Sequence, residues 1–152
     1  MIDHIRFPSI EAYKNAIKNV RKYMDYKNLQ TYEPVEYTGT VKLHGTNAAF
    51  IYAEDGEYNF QSRERILSLQ SDNAGFFVFG ESNKDDLMKI AKLAKLDANL
   101  EGTVAIYGEF VGPGINKSVA VNSLDRKVFY IFAIKINGKY VEDEVLKKIV
   151  PT

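Results

Sequence analysis

Hydrophobic residues recur at helical spacing near the beginning of the chain. They follow steps of three and four residues, as on one face of an α-helix: Ile10, Tyr13, Ile17, Val20 and Met24. Ser9 precedes all of them as a candidate N-cap, because its hydroxyl can accept a hydrogen bond from a free N–H of the first turn. The pattern predicts a first amphipathic helix over 9–26.

Residues 35–62 have the pattern of a β region. Two apolar, strand-like segments lie within it, 35–41 and 48–53. Asp55-Gly56 follows the second segment and is a dipeptide typical of a tight hairpin turn. We therefore predict a β-hairpin that turns at Asp55-Gly56 and ends near Ser62.

The second half of the chain alternates predicted helices and strands. In chain order these are a helix over 85–96, strands over 103–109, 128–136 and 139–141, and a helix over 142–149. Asn137-Gly138 is a turn dipeptide between the last two strands. Antiparallel hairpins combined with separate flanking helices predict an α+β fold with antiparallel sheets.

The composition is that of a globular protein with balanced charge. The chain has 152 residues, 45% of them hydrophobic, which suffices for one domain with a core. Twenty basic and twenty acidic residues cancel, so any contact with a polynucleotide must come from local clustering of charge. No apolar run reaches the ~20 residues of a membrane-spanning helix, and the N-terminus lacks the pattern of a signal peptide. The absence of cysteine excludes disulfides and fits a cytoplasmic location.

Six residues between the two strand-like segments of the β region carry the first candidate chemistry. Residues 42–47 read K-x-H-G-x-N, with Lys42 first, then His44, Gly45 and Asn47. A lysine attacks only in its neutral form, so a site that uses one must favour loss of its proton by desolvation or by neighbouring positive charge. Gly45 would let the backbone approach a ligand closely. The alternative is a surface lysine in a hairpin loop.

Three further motifs follow in order. Arg63 ends the Phe-Gln-Ser-Arg block 60–63, with Arg65 nearby as an alternative, and an arginine suits bidentate binding of oxyanions. Glu109 lies in the block 108–115, which reads G-E-F-x-G-P-G-I. Phe132 lies in the strand-like run 128–134, where alternation places Phe132 and Tyr130 on one face and Phe129 and Ile131 on the other.

The ordered motifs resemble those of the covalent nucleotidyltransferases, and within them the RNA ligases of the T-even phage RNA ligase 2 type. The resemblance covers about residues 35–136. It implies an α+β nucleotidyltransferase (ATP-grasp-like ligase) domain that uses ATP with Mg²⁺ or Mn²⁺, through a lysine that carries AMP. His44 resembles the RNA ligase 2 and RNA-editing ligase branch, because DNA ligases and capping enzymes usually have aspartate there.

The resemblance also implies a role for each motif residue. Lys42 is the catalytic residue, and the nucleotide-binding residues are Val41, His44, Asn47, Arg63, Glu109 and Phe132. In the family the glutamate binds a ribose hydroxyl and the aromatic residue stacks on adenine. The alternative, purely structural roles are a turn residue for Asn47, a solvated ion pair for Arg63 and core packing for Phe132. The usual aspartate after the phenylalanine is Ala133 here, and the residues do not identify a metal ligand.

Two later motifs of the family have no match after Ile136. One is a glutamate that helps bind metal, and the other is a Lys-x-Lys pair that binds phosphates. Glu101-Gly102 has the composition of the first but precedes Glu109, so we interpret it as a turn into a strand. Lys147-Lys148 lies in a predicted helix. Residues 1–152 are therefore expected to be a partial adenylyltransferase domain, apparently truncated and without the C-terminal domain.

The resulting expectation is an ATP-dependent RNA ligase that joins 5′-phosphate and 3′-hydroxyl ends. Its expected partners are ATP or AMP and, in the full-length protein, RNA ends or a nicked duplex, with the protein a monomer away from membranes, in the cytoplasm or in a phage-infected host cell. Residues 1–152 alone would adenylylate slowly or not at all. The alternatives are a catalytically silent nucleotide- or RNA-binding module, and an ATP-dependent DNA ligase or capping-type enzyme.

Overall fold

The computed structural model describes residues 2–31, 36 and 39–150. The chain divides into two compact units, a larger one of Met1–Phe7 with Leu43–Thr152 and a smaller one of Pro8–Lys42. The elements are α1 (Tyr13–Lys27), β1 (Thr46–Tyr52), β2 (Tyr58–Ser62), α2 (Phe76–Ser82), α3 (Lys84–Ala98), β3 (Val104–Val111), β4 (Val128–Ile136), β5 (Lys139–Tyr140) and α4 (Asp143–Ile149), with a short 3₁₀ turn at Ala120–Ser123. None of the helices in the described ranges is long and apolar enough to cross a bilayer.

The smaller unit contains the predicted N-terminal helix. Helix α1 begins later than predicted, because Ala12 rather than Ser9 is its N-cap and accepts the first backbone hydrogen bond from Asn15. Its end at Lys27 is one residue beyond the prediction, and Asn28 closes it in the left-handed conformation that terminates many helices.

The larger unit is built on one five-stranded sheet among the described residues. The strand order is β2-β1-β3-β4-β5, and every pair of neighbours is antiparallel. Asp55 and Gly56 lie in the hairpin between β1 and β2, as predicted. Strand β4 has the predicted bounds, and Asn137-Gly138 turns it into β5 with both residues at positive φ.

One face of the sheet is covered by helices α2, α3 and α4. Alternate strand residues, such as Phe50, Ile106 and Ile134, pack there against one side of α3. The helix residues buried in this cluster are Phe76, Leu87, Ala91, Ala94, Leu146 and Ile149. We refer to this as the helix face of the sheet.

The opposite face is covered by the N-terminal segment Ile2–Phe7, which we call the strap. Beneath it lies a smaller apolar group of strand residues that alternate with those of the helix face: Ala49, Ile51, Ala105 and Tyr107. The buried amide of Gln61 is paired by the strap, since its Oε1 accepts from the N–H of Ile5 at 3.0 Å and its Nε2 donates to the carbonyl of Asp3 at 3.3 Å. A buried amide needs such partners, so the strap is an integral layer of the unit.

Two sequence predictions about elements are wrong. The predicted strand before the lysine motif is absent at the described residues of 35–41, namely Glu36 and 39–41, and its other residues lie outside the described ranges. Strand pairing starts only at Thr46, after a bend at Gly45. Helix α2 was not predicted at all. It begins where Asp72 accepts hydrogen bonds from the N–H groups of Phe77 and Val78.

Candidate functional site

The turn that precedes β1 is fixed by a hydrogen bond from the first motif to the third. The N–H of Gly45 donates to Oε1 of Glu109 over 2.9 Å. A Cβ at position 45 would collide with the carbonyl oxygen of Phe110 and with the side chain of Val111. Only glycine therefore allows the K-x-H-G backbone to pass this close to the end of β3.

Asn47, Glu109 and Tyr130 lie side by side on three neighbouring strands. The register pairs Asn47 with Glu109 and Glu109 with Tyr130. Glu109 follows Tyr107 by two residues, so it lies on the strap face, one step along the strand from the residues that the strap covers. Both Asn47 and Glu109 are half-buried. Strands β1 and β3 thus present the amide of Asn47 and the carboxylate of Glu109 on the same face of the sheet.

The glycine-rich loop after β3 holds the first motif from the other side. Asn116, in a left-handed conformation at φ 51°, donates through Nδ2 to the carbonyl of Gly45 at 2.7 Å and to that of His44 at 3.4 Å. The same nitrogen lies 3.3 Å from Nδ1 of His44. Gly114 donates to Oδ1 of Asn122 at 3.0 Å, which secures the loop itself. The K-x-H-G turn is therefore contacted at two points, by Glu109 of the G-E-F-x-G-P-G-I block and by Asn116, the residue directly after that block.

Arg63 is the residue directly after β2. Its Nε lies 3.8 Å from Oε1 of Glu64, and the same carboxylate oxygen accepts a 2.9 Å hydrogen bond from Arg6 of the strap. The exposed carboxylate of Glu64 is thus flanked by two guanidinium groups. Arg65 instead donates to Ser71 and to the carbonyl of Asp72, so its donors hold a loop.

A β-bulge determines where Phe132 points. In the β3–β4 ladder Tyr107 pairs with Ala133 and Gly108 with Ile131, so Phe132 is an extra residue without a partner. Ile134 packs on the helix face, and strict alternation from it would place Phe132 there as well. The bulge turns Phe132 to the strap face, where its ring makes a T-shaped contact with that of Phe7 at 5.1 Å between centroids.

Phe132 and Tyr130 share a face, as alternation predicted. Their side chains are 40% and 45% exposed, whereas Phe129 and Ile131 pack against the helix-face core. Phe132 is therefore outside the helix-covered core, and its side chain is partly exposed. Gly108 is required beside the bulge, because a Cβ there would collide with the ring of Phe129.

Tyr107 connects the strap to the strand that carries Glu109. Its hydroxyl donates to the carbonyl of Ile5 at 3.2 Å, and its ring lies 5.1 Å from that of Phe7. Burial, with a smaller contribution from Tyr140, raises the pKa of Tyr107 to about 12. The phenol therefore stays protonated and works as a hydrogen-bond donor at neutral pH.

Five of the predicted site residues belong to the larger unit: His44, Asn47, Arg63, Glu109 and Phe132. Among them the sheet register places Asn47 opposite Glu109. Lys42 and Val41 are exposed and belong to the smaller unit, of which Lys42 is the last residue. The chain carries Lys42 through Leu43 directly into the fixed His44-Gly45 turn. The expectation that a strand leads into Lys42 is wrong for the described residues.

Sequence reasoning missed the residues that fix the motifs in place. Asn116 lies in a predicted loop outside the four motifs, although asparagine tolerates the left-handed conformation that such loops often require. Asn73 was also missed; it donates to the hydroxyl of Thr46 at 2.9 Å from a distant loop. The strap gave no sequence signal, since its contacts join residues about sixty or a hundred positions apart.

The resemblance implies a divalent metal, which carboxylate or imidazole groups would have to hold. No three such groups of the described residues converge on one point. Glu109 already accepts a backbone hydrogen bond through one oxygen. The described residues thus do not build a metal site of their own.

Comparison with known proteins gives two findings. A family model for RNA ligase matches residues 35–151. Three structures of Naegleria gruberi RNA ligase share the fold over 73% of this chain. The structure with PPi has 23% sequence identity and a TM-score of 0.52. A lysine-to-alanine mutant with ATP and Mn has 20% identity and a TM-score of 0.51, and a glutamate-to-alanine mutant with AMP and Mn has 21% identity and a TM-score of 0.51. The chain spans 30% of the length of each. The likeness confirms the predicted α+β fold.

Proposed function

Because this chain belongs to the RNA ligase family, we propose that it forms part of the adenylyltransferase domain of an ATP-dependent RNA ligase. His44 and the block 108–115 favour the T-even phage RNA ligase 2 type over DNA ligases and capping enzymes. The ligands of the Naegleria gruberi structures, ATP, AMP, PPi and Mn, support ATP as the nucleotide donor and Mg²⁺ or Mn²⁺ as the metal.

The observation that carries the proposal is the hydrogen bond from Gly45 to Glu109. It ties the turn after the candidate nucleophile to the candidate ribose-binding carboxylate, at the point where Asn47 pairs with Glu109. One oxygen of Glu109 accepts the Gly45 N–H, and the other is available to accept from a ribose hydroxyl. Positioning of this kind is the main contribution a protein makes to phosphoryl transfer.

The proposed reaction has three steps. Nζ of Lys42 attacks the α-phosphorus of ATP, an N–P bond forms, pyrophosphate leaves and the amine loses a proton. An oxygen of the RNA 5′-phosphate then attacks the same phosphorus and displaces Lys42, which leaves AMP joined to the RNA end. Finally a 3′-hydroxyl attacks that 5′-phosphorus and AMP leaves. The divalent ion, when bound, neutralises charge on the phosphates.

Each motif residue contributes a distinct interaction in this proposal. The exposed side of the Phe132 ring stacks on adenine, while Phe7 fixes its edge. The guanidinium of Arg63 binds phosphate oxygens, in an environment that Arg6 also makes positive. Asn47 donates to the ribose or a phosphate beside Glu109. The full-length protein is proposed to act as a cytoplasmic monomer on RNA ends or a nicked duplex.

A second candidate is a nucleotide-binding module without activity. It is favoured by one observation, that Lys42 is exposed, whereas a nucleophilic lysine is commonly activated in a desolvated site. In that case the chain would bind ATP but would not form the covalent intermediate.

Incubation with ATP and Mg²⁺ followed by intact-mass measurement separates the two functions. The ligase domain gains the mass of one AMP, and Lys42→Ala abolishes the gain. Lys89→Ala is the matched control, because Lys89 is an exposed lysine on α3. Retained ATP binding with no mass gain would favour the binding module. Absence of both ATP binding and adenylylation would contradict the proposal.

A further inference from the structure

The basic residues of this neutral chain are unevenly distributed. Helix α1 carries five basic side chains and one acidic one in 15 residues, a net charge of +4, although the whole chain balances 20 against 20. Helix α3 is also 15 residues long but carries four lysines and three aspartates, a net charge of +1. Helix α1 is therefore a local source of positive potential that the overall charge conceals.

Four of these basic residues form a continuous stripe along α1, which we call the basic stripe: Lys14, Lys18, Arg21 and Lys22. Their spacing of three, four and eight residues places them on one side of the helix. All four are exposed, and no carboxylate of the described residues lies within ion-pair distance of them. The stripe extends about 12 Å along the helix axis.

The arrangement of charge disfavours an isolated helix. Lys14 and Lys18, and likewise Lys18 and Lys22, are like charges four residues apart and repel each other. Asp25 lies four residues from Arg21 and offsets only part of this repulsion. Helix α3 instead places Asp85 four residues before Lys89, an attractive pair. A negatively charged partner along the stripe would remove the repulsion.

An exposed tyrosine adjoins the basic stripe. Tyr26 lies four residues after Lys22, one turn along the same side, and is 79% exposed. Nζ of Lys27 lies 5.4 Å from the centroid of the Tyr26 ring. Cationic side chains interleaved with exposed aromatic rings are the combination that binds single-stranded nucleic acid, the first through phosphates and the second by stacking on bases.

We propose that the basic stripe with Tyr26 is a binding surface for single-stranded RNA. The stripe binds the phosphates and the tyrosine ring receives a base. The apolar side of α1 has a separate set of residues, Tyr13, Ile17, Val20 and Met24, so packing on that side leaves the stripe available. The choice of RNA among polyanions rests on the proposed function, whereas the surface itself is assigned from charge and geometry.

Fluorescence anisotropy with a labelled oligouridylate, without ATP, tests the stripe. The variant Lys18→Glu/Lys22→Glu should weaken binding about tenfold or more at low salt, and should reduce the slope of log Kd against log salt by about 1.4, the value for two phosphate contacts. The control Lys89→Glu/Lys92→Glu makes the same change of charge on α3 and should weaken binding by less than about threefold. Circular dichroism should show equal helix content in both variants.

Equal losses in the two variants, an unchanged salt slope, or no RNA binding by the unaltered chain at low salt would each overturn the proposal. So would tighter binding of a duplex than of the single strand. Adenylylation with ATP is measured in parallel on the same variants. If RNA binding falls while AMP transfer persists, the surface is separate from the nucleotide site, and if the surface fails the ligase proposal still stands.

The stacking component has its own matched pair of variants. Tyr26→Ala removes the ring and should weaken RNA binding by about five- to a hundredfold, the range found for loss of one base–aromatic stack. Tyr26→Phe keeps the ring and should bind within about twofold of the unaltered chain. Unchanged binding by Tyr26→Ala, or equal losses in both variants, would show that the ring does not stack on a base.

Discussion

At the scale of single residues, the candidate site depends on close contacts between backbone and side chain. Gly45 is enclosed by the carbonyl of Phe110 and the side chain of Val111, and its N–H reaches Glu109. Asn116 bonds to the carbonyl of the same glycine. The His44-Gly45 turn is thus held by hydrogen bonds from both Glu109 and Asn116.

Gly45→Ala should disrupt this turn. The new Cβ would displace the end of β3 and lengthen the hydrogen bond to Glu109, at a cost of about 1–3 kcal/mol in the free energy of unfolding. We expect adenylylation to fall more than about tenfold, because the displaced groups position the reactants. Gly39→Ala is the control, since nothing lies within 4 Å of a Cβ there. Urea denaturation and the rate of AMP incorporation measure the two effects, and a neutral Gly45→Ala variant would refute the packing argument.

Asn116 should affect the rate more than the stability. Asn116→Gly keeps the left-handed backbone accessible but removes the amide that bonds to Gly45, so adenylylation should fall about three- to tenfold, the worth of one hydrogen bond. Asn116→Asp should be worse, because a carboxylate would face two carbonyl oxygens. Single-turnover adenylylation rates with thermal denaturation as a control test this order. Equal rates for the Gly variant and the unaltered chain would contradict it.

At the scale of elements, the strap and the bulge of β4 act together on Phe132. The bulge turns the ring out of the helix-face core, and Phe7 then packs against its edge. Strap hydrogen bonds to Gln61, Ser62 and Tyr107 fix the position of Phe7. The strap therefore supports the ring that we propose as the adenine platform.

Phe7→Ala should weaken nucleotide binding without removing the nucleophile. Loss of the aromatic contact frees the Phe132 ring, so we expect the Kd for ATP to rise about three- to tenfold, in line with the energy of one aromatic pair. Phe7→Leu retains apolar packing, so its Kd for ATP should lie between those of the unaltered chain and Phe7→Ala. Titration with ATP by calorimetry gives the affinities. If both variants raised the Kd for ATP equally and lowered the melting temperature equally, Phe7 would have a structural role only.

Periodicity and turn chemistry predicted most elements, but not the contacts between distant ones. Strand β4 and its turn at Asn137-Gly138 follow from local residues, so their prediction was confirmed. Helix α2 was missed because Phe76, Phe77 and Phe79 show no helical period, and its start depends on capping by Asp72. The bulge at Phe132 cannot be recognised from the alternation of hydrophobic residues along β4.

The candidate site shows the same division. Motif order was enough to select Asn47 and Glu109, and the register places them opposite each other. Their roles stay predictions. The strap acts through contacts that span 56 to 102 residues of chain, and Asn116 through one that spans 71 residues. No local pattern in one sequence encodes such pairings.

At the scale of the larger unit, Tyr107 links stability to pH. Burial raises its pKa from 10.0 to about 12, so the folded state holds this proton more tightly than the unfolded chain. Because the folded pKa is the higher one, the stabilisation is complete below about pH 10 and is lost as the pH rises through about 12. Unfolding should thus become easier with alkali in this window.

Tyr107→Phe should remove that dependence. The unaltered chain should lose about 2–3 kcal/mol of unfolding free energy between pH 10 and pH 12 through this group, and the variant should lose correspondingly less. Tyr23→Phe, an exposed tyrosine of α1, serves as the control. Urea denaturation at several alkaline pH values gives both curves, and parallel curves for the Tyr107 variant and the unaltered chain would show that the phenol is not responsible.

The central claim, that Lys42 is the residue adenylylated, is tested most directly by mapping the AMP. The chain is incubated with ATP and Mg²⁺ and digested, and the modified peptide is sequenced by tandem mass spectrometry under conditions that preserve the N–P bond. The account predicts AMP on Lys42 alone, lost in Lys42→Ala and kept in Lys89→Ala. AMP on Lys135, Lys148 or any other lysine would contradict it.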